Sequence, residues 1–188
     1  YTNQKPNIEL LKAINSSNGI LHMGAHRGSE AAVYDWFNKK TIWIEANPKI
    51  YTDLKINVST YVNQSAFNIL LYEEDDKKIK FNISNNDGAS SSIYSFGSES
   101  EKDHLEMINS VNLISKKIDT FFLEQLFKVE DYDFWVMDIQ GAELSALKGA
   151  KKSLEKCNFI YVEISVGDYY RNASQWMEIK SFLKKFNF

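Results

Sequence analysis

The chain has 188 residues, of which 44% are hydrophobic and 14% aromatic, and its formal net charge at pH 7 is −3. This length suits one domain, residues 1–188, that buries most of the apolar surface of its unfolded chain. The pI of about 5.7 gives no basic footprint for a nucleic-acid backbone, and no apolar stretch reaches the ~18 residues of a membrane span. We therefore predict no nucleic-acid partner and no membrane partner.

Cysteine usage indicates the compartment. Cys157 is the single cysteine, so it cannot form an internal disulfide, and no Cys/His cluster has the spacing of a zinc site. The sequence therefore predicts a protein of a reducing compartment, the cytoplasm, that needs no metal. The chain begins at Tyr1 instead of a methionine, which indicates a trimmed sequence and leaves a leader or a neighbouring domain open.

The first third of the chain alternates helical patterns with short apolar runs. Within an N-terminal segment, residues 1–19, apolar residues at helical spacing predict a helix over 6–14. Strands are predicted at 20–23, 41–45 and 66–71. Helices are predicted at 29–37, with Ser29 as the capping residue, and from Pro48 to Tyr61.

The remainder continues the alternation after one polar interruption. Residues 79–83 alternate apolar and polar side chains, which predicts a half-buried antiparallel strand. Residues 84–110 are polar and predict a lid or an acceptor-binding loop. Further strands are predicted at 111–118, 134–137 and 159–162. Helices are predicted at 119–127 with Asp119 as the cap, from residue 141 to Leu154, and from Trp176 to Phe186.

This order of elements predicts an α/β fold, a mostly parallel sheet covered by helices on both faces, with a ligand site outside the carboxyl ends of its strands. Polar or small residues follow four of the predicted strands, at 24–28, 45–47, 138–141 and 163–167. Because these clusters share one edge of the sheet, we expect them to converge on one site.

The first two clusters indicate what the site binds. Gly24 and Gly28 let the backbone turn sharply into a helix, whose free amide groups can then face a ligand. Glu45 ends the next strand, and its carboxylate can accept hydrogen bonds from both hydroxyls of a ribose. Together they predict a nucleoside-containing cofactor.

Six strings of this sequence, in this order, resemble the FkbM family of S-adenosylmethionine-dependent methyltransferases, and the first is similar to the subset that reads His-x-Gly-Ala-His-x-Gly. The strings are His22-Met-Gly-Ala-His-Arg-Gly28, Trp43-Ile-Glu-Ala-Asn-Pro48, Asn85-Asn-Asp-Gly-Ala-Ser-Ser-Ser-Ile93, Lys117-Ile-Asp-Thr120, Met137-Asp-Ile-Gln-Gly-Ala-Glu143 and Leu147-Lys-Gly-Ala150. A later block, Tyr161-Val-Glu-Ile-Ser165 followed by Asp168-Tyr-Tyr170, is also similar.

The resemblance implies a Rossmann-like class I methyltransferase, a doubly wound single domain that binds S-adenosyl-L-methionine. It implies transfer of a methyl group to an oxygen of a small-molecule acceptor, such as a sugar or polyketide hydroxyl. Members of the family usually continue past the last helix into a closing strand pair. Because this chain stops at Phe188, we expect that pair to be absent or truncated.

The resemblance also implies functions for particular residues. Predicted cofactor-binding residues are His22, Gly24, Ala25, Gly28, Glu45, Ala46, Asn47, Asp138 and Gln140, and predicted catalytic residues are Asp138, Glu163 and His26. Asp138 follows a buried strand and is the first candidate for the acceptor side. His22 lies within a buried strand end, so a structural hydrogen bond is its alternative function.

Three functions stay open from the residues alone. A nicotinamide-dependent oxidoreductase uses the same glycine turn and ribose-binding acid, although His26 occupies the place of the second glycine in Gly-x-Gly-x-x-Gly. A catalytically silent nucleoside-binding domain is the other alternative to the methyltransferase. Ser90–Ser92, Tyr169, Tyr170 and Trp176 are candidates for the acceptor wall, with ordinary packing as their alternative. The acceptor and the oligomeric state stay undetermined.

Overall fold

The computed structural model describes residues 7–188, and its core is a parallel sheet with helices on both faces. The strands of the described part are β1 (Gly19–Met23), β2 (Lys40–Glu45), β3 (Gln64–Asn68), β4 (Leu70–Leu71), β5 (Lys78–Ser84), β6 (Met107–Lys116), β7 (Phe134–Met137) and β8 (Phe159–Val162). The α-helices are α1 (Ile8–Ser16), α2 (Ala31–Trp36), α3 (Pro48–Val58), α4 (Ile118–Glu124), α5 (Glu143–Lys148) and α6 (Trp176–Leu183).

The five-stranded sheet has the order β3-β2-β1-β7-β8, and all of its neighbouring strands are parallel. Side chains alternate between its two faces because a strand has a period of two. Leu21 and Met23 of β1 pack with α4, α5 and α6, whereas Ile20 packs with α1, α2 and α3. The doubly wound arrangement predicted from the order of elements is therefore present.

The carboxyl ends of the central strands meet at one edge of this sheet. Met23 is in register with Ile44 of β2 on one side and with Met137 of β7 on the other. The residues after these strands therefore leave the sheet side by side, which is the position that the sequence predicts for the ligand site.

The predicted strand over 66–71 is wrong in one respect, because it divides into β3 and β4 at Ile69. The amide of Ile69 donates to the carbonyl of Glu45 at 3.2 Å, and the Asn68 side chain donates to the same carbonyl at 2.8 Å. These bonds end the pairing with β2, and β4 instead pairs with β6 in a second sheet of order β4-β6-β5.

The second sheet confirms the alternating pattern and shortens the predicted polar loop. β5 pairs antiparallel with β6, as the period-two pattern predicted. β6 begins at Met107, so the connection between these strands covers residues 85–106, hereafter the cover segment. The cover segment contains a 3₁₀ turn at Ser98–Asp103.

Two predicted helix caps are wrong. α2 begins after Glu30, and the Ser29 hydroxyl donates to the Glu30 carboxylate at 2.7 Å instead of capping the helix. α4 begins after Lys117, and the Asp119 carboxylate accepts the backbone amide of Ser153 at 2.8 Å. Asp119 therefore fixes the start of a distant 3₁₀ turn, a contact that local spacing cannot reveal.

Helix ends also differ from the predicted ones. α4 ends at Glu124 and α5 at Lys148, and Leu154 lies in the separate 3₁₀ turn Ser153–Lys156. The predicted start of the first helix, Pro6, lies outside the described residues. α1 is capped by the Asn7 side chain, which accepts the amide of Leu10 at 3.1 Å.

The turn after β1 depends on the absence of a side chain at Gly24. Its φ is +79°, in the left-handed region that favours glycine. A Cβ at this position would overlap the carbonyl oxygen of Asp138, on the corner after β7. Backbone therefore packs directly against backbone where the two strands end.

We expect Gly24→Ala to lower the free energy of unfolding by at least about 2 kcal/mol more than Gly167→Ala does, since it adds a backbone overlap to conformational strain. Gly167 is a matched control because its φ is +73° and a Cβ there would lie 3.4 Å from the nearest side-chain atom. Urea unfolding of both variants measures the difference. Equal losses would contradict the close packing at Gly24.

Candidate active site

A cavity of about 240 Å³ opens at the carboxyl edge of the parallel sheet. It is lined by residues that end or follow β1, β2 and β7, namely Gly24, His26, Glu45, Ala46, Asp138 and Gln140. Its apolar wall comes from the second sheet and its neighbours, namely Ile69, Leu70, Leu71, Phe81 and Ile93. Gly88 and Ser91 of the cover segment also line it. Three of the four predicted clusters therefore meet at one cavity.

Glu45 presents a buried carboxylate to this cavity. One carboxylate oxygen accepts the backbone amide of His26 at 2.9 Å, and the other accepts the amide of Asn47 at 2.7 Å. Burial raises the pKa of Glu45, and these two amide bonds oppose that rise. The side chain is therefore held in one orientation by the two loops that it joins.

His26 and Arg27 connect the turn after β1 to the cover segment. The Nε2 atom of His26 lies 3.3 Å from the carbonyl oxygen of Asp87. The Arg27 guanidinium pairs with the carboxylate of Asp87 and also, at 3.0 Å, with that of Asp53 on α3. These contacts hold the cover segment against the edge of the cavity.

Asp138 lies on the corner between β7 and α5. Its carboxylate accepts a hydrogen bond from the side-chain amide of Gln140. Burial, with smaller contributions from the charges of Glu163 and Glu143, raises the pKa of Asp138 to about 7. A carboxyl group with a pKa near neutrality can both accept and release a proton at physiological pH.

Glu143 binds the backbone of this corner through its buried carboxylate. The side chain is 2% exposed, and one carboxylate oxygen accepts the backbone amides of Ile139 at 3.1 Å and Gly141 at 3.2 Å. Burial raises the pKa of Glu143, while these amide bonds oppose the rise. Glu143 thus shapes the backbone on which Asp138 is carried.

The fourth predicted cluster lies beside the cavity instead of lining it. Glu163 follows β8, and its backbone amide donates to the carbonyl of Met137 at 2.9 Å. The side chain is exposed, and its charge contributes to the raised pKa of Asp138. Of the three predicted catalytic residues, Asp138 and His26 line the cavity and Glu163 does not.

The structure does not bring His22 to the cavity. His22 shares the face of β1 that Ile20 occupies, where its Nδ1 atom lies 3.1 Å from the Tyr34 hydroxyl and its ring stacks on Trp43 at 4.8 Å. Burial lowers the pKa of His22 to about 4, so the ring is neutral at physiological pH. The period of two in β1 gives His22 the structural function that the sequence left as its alternative.

Other predicted cofactor contacts also lie behind the cavity surface. A Cβ on Gly28 would lie 2.8 Å from Leu54, so this glycine permits close packing on α3. Ala25 is buried with the α1–α3 cluster. Asn47 caps α3, since its side-chain oxygen accepts the amide of Lys49 at 3.1 Å. These residues shape the loops without lining the cavity.

Two of the family-like strings are structural. The amide of Asp119, in Lys117-Ile-Asp-Thr120, donates to the carbonyl of Gly149, in Leu147-Lys-Gly-Ala150, at 3.1 Å. None of the residues in either string lines the cavity. The residues of these two strings therefore form the contact between α4 and the end of α5.

Sequence reasoning underestimated Tyr170 and Phe81. Tyr170 is 2% exposed, and its hydroxyl donates to the side-chain oxygen of Gln140, so it lies behind the cavity instead of forming an acceptor wall. Trp176, another candidate for that wall, is 45% exposed. Phe81 lines the cavity, and the alternation in β5 was the signal that could have placed it on a buried face.

Among residues 7–188, no group of three or more His, Cys, Asp or Glu side chains is arranged to hold a metal ion. Within the same described range, none of the helices combines the length and apolarity that crossing a membrane requires.

The chain belongs to the methyltransferase FkbM domain family, whose model matches residues 22–188. It is 26% identical over 176 residues to the 2-O-methyltransferase NoeI of Sinorhizobium fredii, covering 89% of this chain and 71% of that protein. The crystal structure of methyltransferase FkbM from Methylobacillus flagellatus KT superposes with a TM-score of 0.56 at 14% identity. That match covers 90% of this chain and 37% of the other. The predicted fold class is confirmed.

We expect Asp138→Asn to be more stable than the wild type at pH 8 by about 1–3 kcal/mol, and the difference to vanish near pH 4. An acid whose pKa rises on folding from 3.8 to about 7 stabilises the fold while protonated, and this contribution is lost as the pH rises through 7. Urea unfolding across this range measures the difference. The lowered pKa of His22 makes its contribution to stability rise with pH. Both proteins contain His22, so this contribution cancels in the difference between their free energies of unfolding. A difference that does not vary with pH would contradict the raised pKa.

Proposed function

We propose that this chain is an S-adenosylmethionine-dependent methyltransferase that transfers a methyl group to a hydroxyl of a small acceptor such as a sugar or polyketide. The observation that carries the proposal is the single cavity at which the turn after β1, the Glu45 carboxylate and the Asp138 corner meet. Family membership supports methyl transfer over the oxidoreductase alternative. When bound, S-adenosylmethionine would supply an activated methyl group on a sulfonium.

Glu45 would hold the ribose. Each oxygen of a carboxylate has about two lone-pair directions, and each oxygen of Glu45 uses one of them on a backbone amide. One direction on each oxygen is then left for the two ribose hydroxyls. Ile69 and Leu70, on the apolar wall, would accommodate the base, and Ala46 lines the same cavity.

The acidic groups near Asp138 support binding of a cation. Glu143 and Glu163 both act on Asp138 through their charges, and Asp138 itself lines the cavity. A negative potential at this end favours a sulfonium and an ammonium group over neutral groups. We therefore propose that the methionine portion lies in the cavity against the Gly24 turn and the neighbouring Asp138 corner.

Asp138 is the proposed general base, and Glu163 is the second candidate. Asp138 would orient the acceptor hydroxyl and take up its proton on a carboxylate oxygen as the new bond to carbon forms. Orientation supplies most of the acceleration in such a displacement, and a positioned base contributes about 10²–10⁴-fold. The ring of His26 is engaged with the Asp87 carbonyl of the cover segment, so we propose that it closes the cover segment instead of acting as the base.

The acceptor proposal rests on the relative and on the cavity. The relative named 2-O-methyltransferase NoeI supports transfer to oxygen. The cover segment lies over the cavity with Gly88 and Ser91 on its inner surface, so we propose that it contacts the acceptor or closes over it. We also propose that residues 22–28 place the chain in the His-x-Gly-Ala-His-x-Gly subset, with His22 as a packing residue.

We expect isothermal calorimetry to detect binding of S-adenosylmethionine and S-adenosylhomocysteine. We expect Glu45→Gln to make the free energy of S-adenosylhomocysteine binding less favourable by about 1–3 kcal/mol. Glutamine keeps the size of the side chain but replaces one acceptor oxygen by a donor. Glu155→Gln is the control, because Glu155 is exposed and distant from the cavity lining. Equal affinity of the Glu45 variant and the wild type would contradict the ribose assignment.

The same measurement separates the alternatives. Binding of NAD without binding of S-adenosylhomocysteine would overturn the methyltransferase proposal. Transfer of a labelled methyl group from S-adenosylmethionine to a member of a panel of glycosides and polyketide alcohols would support it. Binding of S-adenosylhomocysteine with no transfer to any acceptor would favour a silent nucleoside-binding domain.

A further inference from the structure

We infer that Tyr170 is a positioning residue that acts on Asp138 through the side-chain amide of Gln140. The Tyr170 hydroxyl donates to the Gln140 oxygen, and the Gln140 nitrogen donates to an Asp138 carboxylate oxygen. Tyr170 itself is not among the residues that line the cavity, so we infer that it acts on Asp138 through this chain of bonds and not by touching a ligand. The inference rests on the proposed function of Asp138 as the base.

The direction of the Gln140 side-chain amide decides which form of Asp138 it stabilises. An amide group has an acceptor end and a donor end that differ little in size, so rotation by a half-turn exchanges them. With its oxygen toward Asp138, the amide would favour the protonated acid. With its nitrogen toward Asp138, it favours the ionised carboxylate, which can take up a proton. The Tyr170 hydroxyl has a single proton and lies closer to the Gln140 side-chain oxygen than to the Ser90 carbonyl oxygen, which is 3.2 Å away, so its donation to Gln140 selects the second arrangement.

Packing holds Tyr170 in the place that this selection requires. Its backbone pairs with Phe96 of the cover segment, and the two rings lie 5.5 Å apart. Its hydroxyl also lies 3.2 Å from the carbonyl oxygen of Ser90, and the Ser92 hydroxyl donates to the Gln140 carbonyl at 2.7 Å. The hydroxyl is thus fixed between the cover segment and the Asp138 corner.

The charges around Asp138 explain why a fixed donor matters. Glu163, Glu143 and Glu30 face Asp138 from three different elements, and all of them favour its protonated form. The bond from Gln140 is the contact that favours the carboxylate. Burial raises the pKa of Tyr170, so its hydroxyl keeps its proton and stays a donor throughout the physiological range.

The experiment is a pH titration of carboxyl-¹³C-labelled aspartate in the full chain by NMR, with the Asp138 signal identified by its loss in Asp138→Asn. We expect Tyr170→Phe to raise the midpoint of Asp138 by about 0.5–1 pH unit, because the freed amide can turn its oxygen toward the acid. Tyr169→Phe is the matched control. Its hydroxyl donates to Asp103 at 2.9 Å, away from Gln140, so the midpoint should not change.

A second variant tests the same chain of bonds from the other end. Gln140→Glu preserves an acceptor for Tyr170 but removes the donor to Asp138 and adds a like charge, so we expect a rise of more than about 1 pH unit. Adding Tyr170→Phe to Gln140→Leu should produce no further shift, because the intermediary is gone. Circular dichroism confirms that each variant is folded.

The outcomes separate this inference from the proposed function. An unchanged midpoint in Tyr170→Phe, an equal shift in Tyr169→Phe, or no rise in Gln140→Glu would overturn the inference. Calorimetry with S-adenosylhomocysteine on the same samples tests the function. A wild type that shows the expected shifts but binds no S-adenosylhomocysteine would refute the proposed function and leave the positioning by Tyr170 intact.

Discussion

The cavity depends on one contact, the direct packing of the Gly24 backbone against the backbone of Asp138. Gly24 meets the backbone of Asp138 without an intervening side chain, and the amide of Asp138 donates to Met23 at 2.9 Å. On the other side, the amides of Gly24 and Ala25 both donate to the carbonyl of Ile44. Three strand ends are thus joined through main chain alone, which leaves their side chains available to face a ligand.

The buried carboxyl groups of this edge are stabilised in different ways. Glu45 and Glu143 each accept two backbone amides, so their orientation is set by the loops that they join. Asp138 accepts only a side-chain amide among the bonds of the described residues, and its environment is otherwise acidic. Glu45 and Glu143, which backbone amides hold in place, therefore shape the site. Asp138, whose partner is the side chain of Gln140, is the residue for which the catalytic function is proposed.

Much of this arrangement could be predicted from local patterns. Strand ends, and with them Gly24, Glu45 and Asp138, follow from short apolar runs that stop at polar residues. The face to which a strand-end residue points depends on the placement of that strand in the sheet, and it is this placement that packs His22 on Tyr34 and Trp43. The contacts of Tyr170 and Asp119 span 30 and 34 residues, so no local spacing contains them.

Two residues without the freedom of glycine adopt left-handed backbone at the cavity, His26 with φ of +46° and Gln140 with φ of +55°. Each conformation costs on the order of 1 kcal/mol relative to glycine. Gly24 and Gly141 adopt positive φ at the same two corners without this cost, because they lack a Cβ. Glycine at either corner would relieve this strain, but it would also remove the imidazole or the carboxamide, so these two side chains are retained only at the cost of backbone strain.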